Sequence, residues 1–166
     1  MRLSVSGRRS AGDRVKVNPA GWQLSRRQLS VRSLAEVARL QVLTRWWNDW
    51  LQQRGRGLCV TGDLCEAVRD GVLPLHLLNA LTGTEAPIPH TTPQSEADQR
   101  DNLRTLARRL KEAHVTLVSP SASRSDLRLD AKGTRHLVEE LAAGRRSTVF
   151  LLSWSLFLRF ELTQSG

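Results

Sequence analysis

The amino-acid sequence predicts an all-α fold. Apolar residues recur at helical spacing from about residue 34 onward, and Gly and Pro residues cluster between the periodic segments. No alternating apolar and polar run bounded by turn residues indicates a strand. The last periodic segment, about 147–162, is apolar on every side but too short to span a bilayer. We therefore expect a compact bundle around a central C-terminal helix.

The first 33 residues are expected to form a basic, mostly disordered arm. Residues 1–40 contain nine Lys and Arg against two acids, whereas residues 41–166 contain 16 Lys and Arg against 14 acids. The net charge of +9 therefore lies mainly at the N-terminus and favours an acidic partner. No helical period persists before residue 34, which separates the arm from a helical domain at 34–166. The arm residues expected to contact a polyanion are the arginine pairs Arg8, Arg9, Arg26 and Arg27.

The first helix is predicted from about residue 34 to the glycines at 55 and 57. Six apolar residues fall within about 140° of its circumference at 100° per residue. They are Leu40, Leu43, Trp46, Trp47, Trp50 and Leu51. A short turn is expected around 63–68, and Asp70 is expected to N-cap a helix that ends at Leu81 before Gly83.

Three prolines between residues 84 and 94 predict a loop. Ser95 is expected to cap the following helix, which runs to about Ala113. The polar residues 119–134 predict another loop, and 136–142 predict a short helix that Gly144 ends.

Enzymatic, metal and membrane-spanning classes are disfavoured by the motif content. The four histidines are scattered without a nucleophile or carboxylate at motif spacing, and no P-loop or zinc-ligand spacing is present. The longest charge-free apolar run, 147–158, is shorter than the roughly 20 residues that a membrane helix needs. We predict a protein without catalytic activity, cofactor, metal or membrane span. Two cysteines, Cys59 and Cys65, favour a reducing intracellular compartment.

Four segments occur in the order and spacing of a calponin-homology domain: 44–51, 63–83, 101–118 and 151–160. The sequence resembles this family over roughly residues 40–162. In the first two segments, and at Leu43 immediately before the first, the matched residues are Leu43, Trp46, Asn48, Asp63, Leu64, Arg69, Asp70 and Gly71. In the last two they are Asp101, Asn102, Leu103, Lys111, Glu112, Val115, Leu117, Val118, Trp154, Leu156 and Phe160.

The resemblance implies a calponin-homology helical bundle that binds actin filaments or microtubules in the cytoplasm. Arg109 departs from the family pattern by standing where an aromatic residue is usual, and His114 replaces a glycine. The segment 119–135 is longer than in actin-binding members and, together with 144–148, is more similar to the abnormal-spindle group. This similarity makes actin a less certain filament partner than the family resemblance alone implies.

A cationic ridge is the candidate filament-binding site. Its members recur at helical spacing beside the apolar stripe of their helix, where they can meet acidic patches on a filament. They are Arg100, Arg104, Arg108 and Lys111. A solvated helix face is the alternative interpretation, which nearby acids favour. Arg45 and Trp50 are assigned to the same candidate site on the first helix.

Two other functions stay open at this point. The Trp50 surface could make the chain an adaptor that docks another cytoskeletal or signalling protein. The basic arm could bind nucleic acid without sequence preference, although no helix-turn-helix segment or interleaved exposed aromatic residue supports nucleic-acid binding.

Overall fold

The protein structure is a computed structural model that describes residues 20–53, 57–118 and 127–162, with side chains from residue 35 onward. The described residues are mainly helical, which confirms the all-α class. The helices are α1 (Ala20–Gln53), α2 (Leu64–Ala67), α3 (Val72–Thr82), α4 (Glu96–Glu112), α5 (Ala131–Ala142) and α6 (Arg146–Phe157). A π-helical turn, Leu158–Leu162, follows α6. The described residues also hold an isolated antiparallel bridge between Leu117 and Leu127.

The chain divides into two compact units, Met1–Arg39 and Leu40–Gly166. Helix α1 begins at Ala20, so the expectation that helical structure starts near residue 34 is wrong. Neither Gly nor Pro occurs between residues 22 and 53, and the Leu, Arg and Gln residues of that stretch have good helix propensity. The first part of the predicted arm, residues 1–19, lies outside the described residues.

The core of the unit Leu40–Gly166 is built from the apolar stripes that the helical period predicts. Trp47 and Leu51 of α1 have no exposed side-chain surface, and Leu43 is also buried. The other helices contribute further fully buried leucines. They are Leu75, Leu77, Leu78, Leu103, Leu106, Leu110, Leu137, Leu141, Leu152 and Leu156.

Helix α3 begins one residue later than the sequence predicts. Gly71 occupies the N-cap with φ of 80°. The carboxylate of the preceding residue, Asp70, accepts a hydrogen bond from Val72 N at 3.0 Å. The predicted N-cap is therefore displaced because a left-handed turn, which favours glycine, precedes the helix. Pro74 is buried in the first turn, where a proline is tolerated, and Gly83 ends the helix with φ of 70° as expected.

Helix α4 begins and ends where the sequence indicates. The Ser95 hydroxyl accepts a hydrogen bond from Asp98 N at 3.2 Å, and the Asp98 carboxylate accepts one from Gln94 N at 3.0 Å. This reciprocal arrangement satisfies two backbone donors near the start of α4. After the C-cap Ala113, His114 adopts φ of 59°, a left-handed conformation that a β-carbon disfavours.

Helix α5 begins at Ala131, so the loop expected over 119–134 ends earlier than predicted. Asp130 is the N-cap, and its carboxylate accepts a hydrogen bond from Gly133 N at 2.8 Å. A β-carbon at Gly133 would collide with the carbonyl oxygen of Arg128. Gly133 therefore permits a close approach inside the helix, whereas in the sequence it resembles a loop residue. Gly144, with φ of 70°, follows the end of α5 as predicted.

Helix α6 is buried mainly along one side, although its sequence is apolar all round. Val149, Leu152 and Leu156 have no exposed surface. Half-buried apolar residues occupy other positions of the C-terminal segment, namely Phe150, Leu151, Trp154, Phe157 and Leu158. Two serines make its polar contacts: Ser153 Oγ accepts from Trp47 Nε1 at 3.0 Å, and Ser155 Oγ accepts from Val118 N at 2.8 Å.

Candidate functional site

The predicted cationic ridge lies on the solvent side of α4. Arg104, Arg108 and Lys111 are exposed, and Arg100 is half-buried one turn nearer the N-terminus. Their spacing places them on one side of the helix, beside the stripe that buries Leu103, Leu106 and Leu110. The helix therefore brings the four predicted residues together as a row.

Carboxylates neutralise most of this row. Arg104 Nη1 lies 2.8 Å from Asp101 Oδ1, and Arg108 Nε lies 3.8 Å from Glu112 Oε2. Lys111 has no ion-pair partner among the described residues. Exposed pairs of this kind contribute about 0.2–1 kcal/mol each and exchange readily with other partners. Arg104 and Arg108 therefore remain available to a competing anion.

Arg100 links α4 to α5 through side-chain hydrogen bonds. Its guanidinium donates two hydrogen bonds to the Glu139 carboxylate, at 2.9 Å from Nε and 3.1 Å from Nη2. Nη1 donates a third, to Glu96, at 3.1 Å. The two hydrogen bonds from Arg100 to Glu139, followed by the positive charges of Arg100 and Arg104, lower the pKa of Glu139 below its ordinary value. The Arg100 guanidinium is thus occupied within the fold.

Two cations of α5 stand on the same side of that helix as Glu139. Lys132 and Arg135 are exposed and precede Glu139 by seven and four residues, which is two turns and one turn. Neither has an ion-pair partner among the described residues. Their helical spacing is visible in the sequence. The loop expected over 119–134 includes Lys132, so the sequence does not predict that the two cations share a helix face.

Trp50 and Arg45 have different environments from the α4 row. Trp50 is half-buried against the core, and its Nε1 donates to Glu161 Oε1 at 2.9 Å. Trp46 Nε1 donates to the same oxygen at 3.0 Å, and the Trp46 ring meets Phe157 edge to face at 5.7 Å. Arg45 is exposed without an ion-pair partner in the described part of the chain. No described contact joins Arg45 or Trp50 to the α4 row.

Arg109 is a structural residue that the ridge does not include. Its Nη1 donates to Asn79 Oδ1 at 2.6 Å, and its Nη2 donates to Thr84 Oγ1 at 3.0 Å. Desolvation by burial lowers the pKa of Arg109. These contacts tie α4 to the end of α3 and the following loop.

Asn102 joins three separate parts of the chain and is fully buried. Its Oδ1 accepts from His90 N at 3.0 Å, while its Nδ2 donates to His90 O at 2.9 Å and to Asp70 O at 3.0 Å. The His90 ring lies beside two α4 carboxylates, 3.2 Å from Asp101 and 3.7 Å from Asp98. The amide satisfies backbone groups that no helix or sheet would pair, so its role is structural.

The remaining site predictions concern the arm and the absence of metal. Arg8 and Arg9 lie outside the described residues, and only the helical backbone of α1 is described for Arg26 and Arg27. No described helix is long and apolar enough to cross a membrane. Among the residues with described side chains, no group of three His, Cys, Asp or Glu residues is placed to hold a metal ion.

Comparison with known proteins adds no family assignment. No protein-family model and no curated protein sequence matches this chain.

Proposed function

We propose that this chain is a non-catalytic calponin-homology-type module that binds cytoskeletal filaments, either actin filaments or microtubules, in the cytoplasm. The proposal rests on the four sequence segments that resemble the family and on the helices that carry them. Segment 44–51 lies within α1, 63–83 spans α2 and α3, and 151–160 begins in α6 and ends in the π-helical turn. Segment 101–118 begins in α4 and continues into the chain that follows it.

The strongest support is a contact between two of these segments. Asn102 donates a hydrogen bond to the backbone of Asp70, and a β-carbon placed on Gly71 would lie 2.7 Å from Asn102 Cβ. The Asp-Gly and Asn residues of the resemblance thus require each other through close packing.

A second motif residue has an equally specific role. Asn48 Oδ1 accepts a hydrogen bond from Val60 N at 2.6 Å and fixes the chain that follows α1. These motif residues therefore support the fold, and filament contact would be made by exposed side chains such as those of the α4 row.

Cosedimentation tests the proposal. Full-length protein, a chain lacking residues 1–19 and a chain lacking residues 1–33 would be mixed with actin filaments and, separately, with microtubules over a salt series. The first deletion preserves α1 from its start at Ala20, and the second removes the expected arm. We expect both shortened chains to pellet with one filament type.

The controls separate specific binding from charge alone. Duplex DNA provides a polyanion of unrelated geometry, and circular dichroism verifies that each deletion remains folded. The filament proposal would be contradicted if only the full-length chain pelleted, if it pelleted equally with both filament types, and if it bound DNA with the same strength. That result would instead support the second candidate, nonspecific polyanion binding, which the concentration of positive charge in residues 1–40 favours.

A further inference from the structure

Helices α4 and α5 run antiparallel to each other. The hydrogen bond from Leu127 N to Leu117 O brings the chain that precedes α5 to the chain that follows α4. At the other end, Glu139 of α5 pairs with Arg100 of α4. The beginning of each helix is therefore close to the end of the other.

This arrangement sets two rows of cations side by side. The α4 row continues from Arg100 away from the Arg100–Glu139 pair, through Arg104, Arg108 and Lys111. Arg135 and Lys132 continue along α5 from Glu139 in the same spatial direction, since the helices are antiparallel. We name these five residues the α4–α5 strip: Arg104, Arg108, Lys111, Lys132 and Arg135.

The α4–α5 strip has an excess of positive charge. Two of its five cations are paired with carboxylates, Arg104 with Asp101 and Arg108 with Glu112. The other three, Lys111, Lys132 and Arg135, have no ion-pair partner among the described residues. A surface lined by charges of one sign raises the local concentration of an oppositely charged ligand.

We propose that the α4–α5 strip binds a short acidic segment of a partner protein. From Arg104 to Lys111 the helix rises by about 10 Å, the length of roughly three extended residues. Two or three carboxylates in such a segment would match the three unpaired cations, and arginine binds carboxylates through two parallel hydrogen bonds. The inference does not depend on the filament proposal, because any exposed acidic segment has the required chemistry.

Nucleic acid suits the strip less well. Glu139 and Glu96 surround the end of the strip nearest Arg100, and Asp101 and Glu112 lie along α4. A duplex carries uniform negative charge over a much longer path and would meet these carboxylates. Neither α4 nor α5 contains Trp, Tyr or Phe for base stacking.

The lysine content of the chain allows a direct test. Its three lysines are Lys16 in the arm and Lys111 and Lys132 in the strip. The probe is N-acetyl octaglutamate whose carboxyl groups are converted to N-hydroxysuccinimide esters at low occupancy. A lysine amine that the bound peptide reaches attacks the ester carbonyl, forms an amide bond, loses a proton and releases N-hydroxysuccinimide. Peptide mapping by mass spectrometry of the full chain then identifies the acylated lysines.

Matched variants separate the strip from general electrostatics. Arg135→Glu and Arg104→Glu reverse a charge inside the strip, whereas Arg39→Glu makes the same charge change at an exposed residue outside it. We expect labelling of Lys111 and Lys132 to exceed that of Lys16 and to fall about fivefold in the two strip variants, since each reversal changes the interaction by about 1 kcal/mol. Unactivated octaglutamate should compete, and octaglutamine should not.

Three results would overturn the inference. Labelling confined to Lys16 would assign acidic-segment binding to the arm. Equal labelling in Arg135→Glu, Arg104→Glu and Arg39→Glu would show that the strip makes no specific contribution. Displacement of the peptide from Lys111 and Lys132 by duplex DNA at lower concentration than by octaglutamate would assign the strip to nucleic acid. Filament cosedimentation is measured separately, so its failure would leave the peptide result interpretable.

Discussion

At the scale of single residues, Asn102 combines complete burial with several hydrogen bonds to the backbone. Its amide makes three hydrogen bonds to the backbones of Asp70 and His90 while its side chain is fully buried. Removing the amide would take the side-chain partner from those backbone groups and leave a gap where the buried Asn102 side chain lies. An unsatisfied buried group costs about 1–3 kcal/mol, so the loss is larger than for an exposed hydrogen bond.

We expect Asn102→Ala to lower the free energy of unfolding by about 3 kcal/mol. Urea denaturation monitored by circular dichroism measures the change. Gln52→Ala, at an exposed position of α1, is the matched control and should change stability by less than about 0.5 kcal/mol. Equal effects of the two substitutions would contradict the structural role of Asn102.

His114 is a strained residue that one substitution should relieve. Its φ of 59° places a β-carbon in the left-handed region, where a non-glycine residue costs about 1 kcal/mol. We expect His114→Gly to stabilise the protein by about 0.5–1 kcal/mol. His136→Gly, in the exposed interior of α5, should instead destabilise it by about 1 kcal/mol. Thermal unfolding of both variants checks the opposite signs.

Titration of the Cys65 thiol makes the free energy of unfolding depend on pH in the alkaline range. Burial, reinforced by the nearby Asp63 carboxylate, raises the pKa of the Cys65 thiol from 9.0 to about 11. Between pH 9 and pH 11 the folded chain retains the proton that the unfolded chain loses, so the Cys65 contribution is present below pH 9 and declines as pH rises toward 11.

From pH 8.5 to pH 10.5, we expect the urea midpoint of Cys65→Ala to decrease less than that of the unmodified protein. The comparison at each pH removes the effects of other titrating groups, which both chains share. Cys59→Ala is the control, because Cys59 is exposed. The same pH dependence in Cys65→Ala and in the unmodified protein would contradict the altered thiol pKa.

At the scale of helices, the two glycines that flank α3 have unequal requirements. Both adopt positive φ, 80° at Gly71 and 70° at Gly83, so both favour glycine on conformational grounds. Only Gly71 is also restricted by packing, with Asn102 Cβ 2.7 Å from the position of an added β-carbon. No atom lies within 4 Å of the corresponding position at Gly83.

We expect Gly83→Ala to cost about 1 kcal/mol of unfolding free energy and Gly71→Ala about 3 kcal/mol, since the second adds overpacking to backbone strain. Denaturant unfolding of the pair measures the difference, with each variant serving as the other's control. If Gly71→Ala were no more harmful than Gly83→Ala, the close approach of Gly71 to α4 would be contradicted.

Helical periodicity predicts the buried stripes but not every helix boundary. Trp47 and Leu51 lie on the apolar face that the spacing predicts and are buried, because spacing alone determines which side of a helix they share. The sequence pattern predicts the start of α1 too late, because the basic composition is typical of disorder although the segment contains good helix formers. The start of α5 is also predicted too late, because Gly133 indicates a loop unless its close contact with Arg128 is known.

The candidate site could be predicted only in part for a similar reason. The α4 row follows from spacing within one helix, whereas the Arg100–Glu139 pair joins residues 39 positions apart in the sequence. No local pattern indicates which carboxylate will meet Arg100. The contribution of Lys132 and Arg135 likewise depends on the antiparallel packing of α5 against α4.

At the scale of the whole molecule, charge and fold are distributed differently along the chain. Residues 1–33 contain eight Lys and Arg against one acid, a net charge of +7 out of the total of +9. The remaining residues are close to electrical balance and contain the core. Nonspecific attraction to polyanions should therefore depend mainly on the first 33 residues.

We expect the chain lacking residues 1–33 to elute from heparin at a much lower salt concentration than the full chain. The chain lacking residues 1–19 removes five Lys and Arg and one acid and should elute between them. Elution conductivity is the measurement, and circular dichroism of the eluted protein verifies the fold. Identical elution of all three chains would place the dominant polyanion contact in residues 34–166.

The single carboxylate oxygen shared by two indoles has a consequence for local opening. Glu161 Oε1 accepts hydrogen bonds from both Trp46 and Trp50, so the π-helical turn at the end of the described chain holds two successive turns of α1. When that turn frays, both indoles lose their acceptor in the same event. Fraying at the last turn is therefore coupled to α1, and amide exchange in the two segments should report one shared opening.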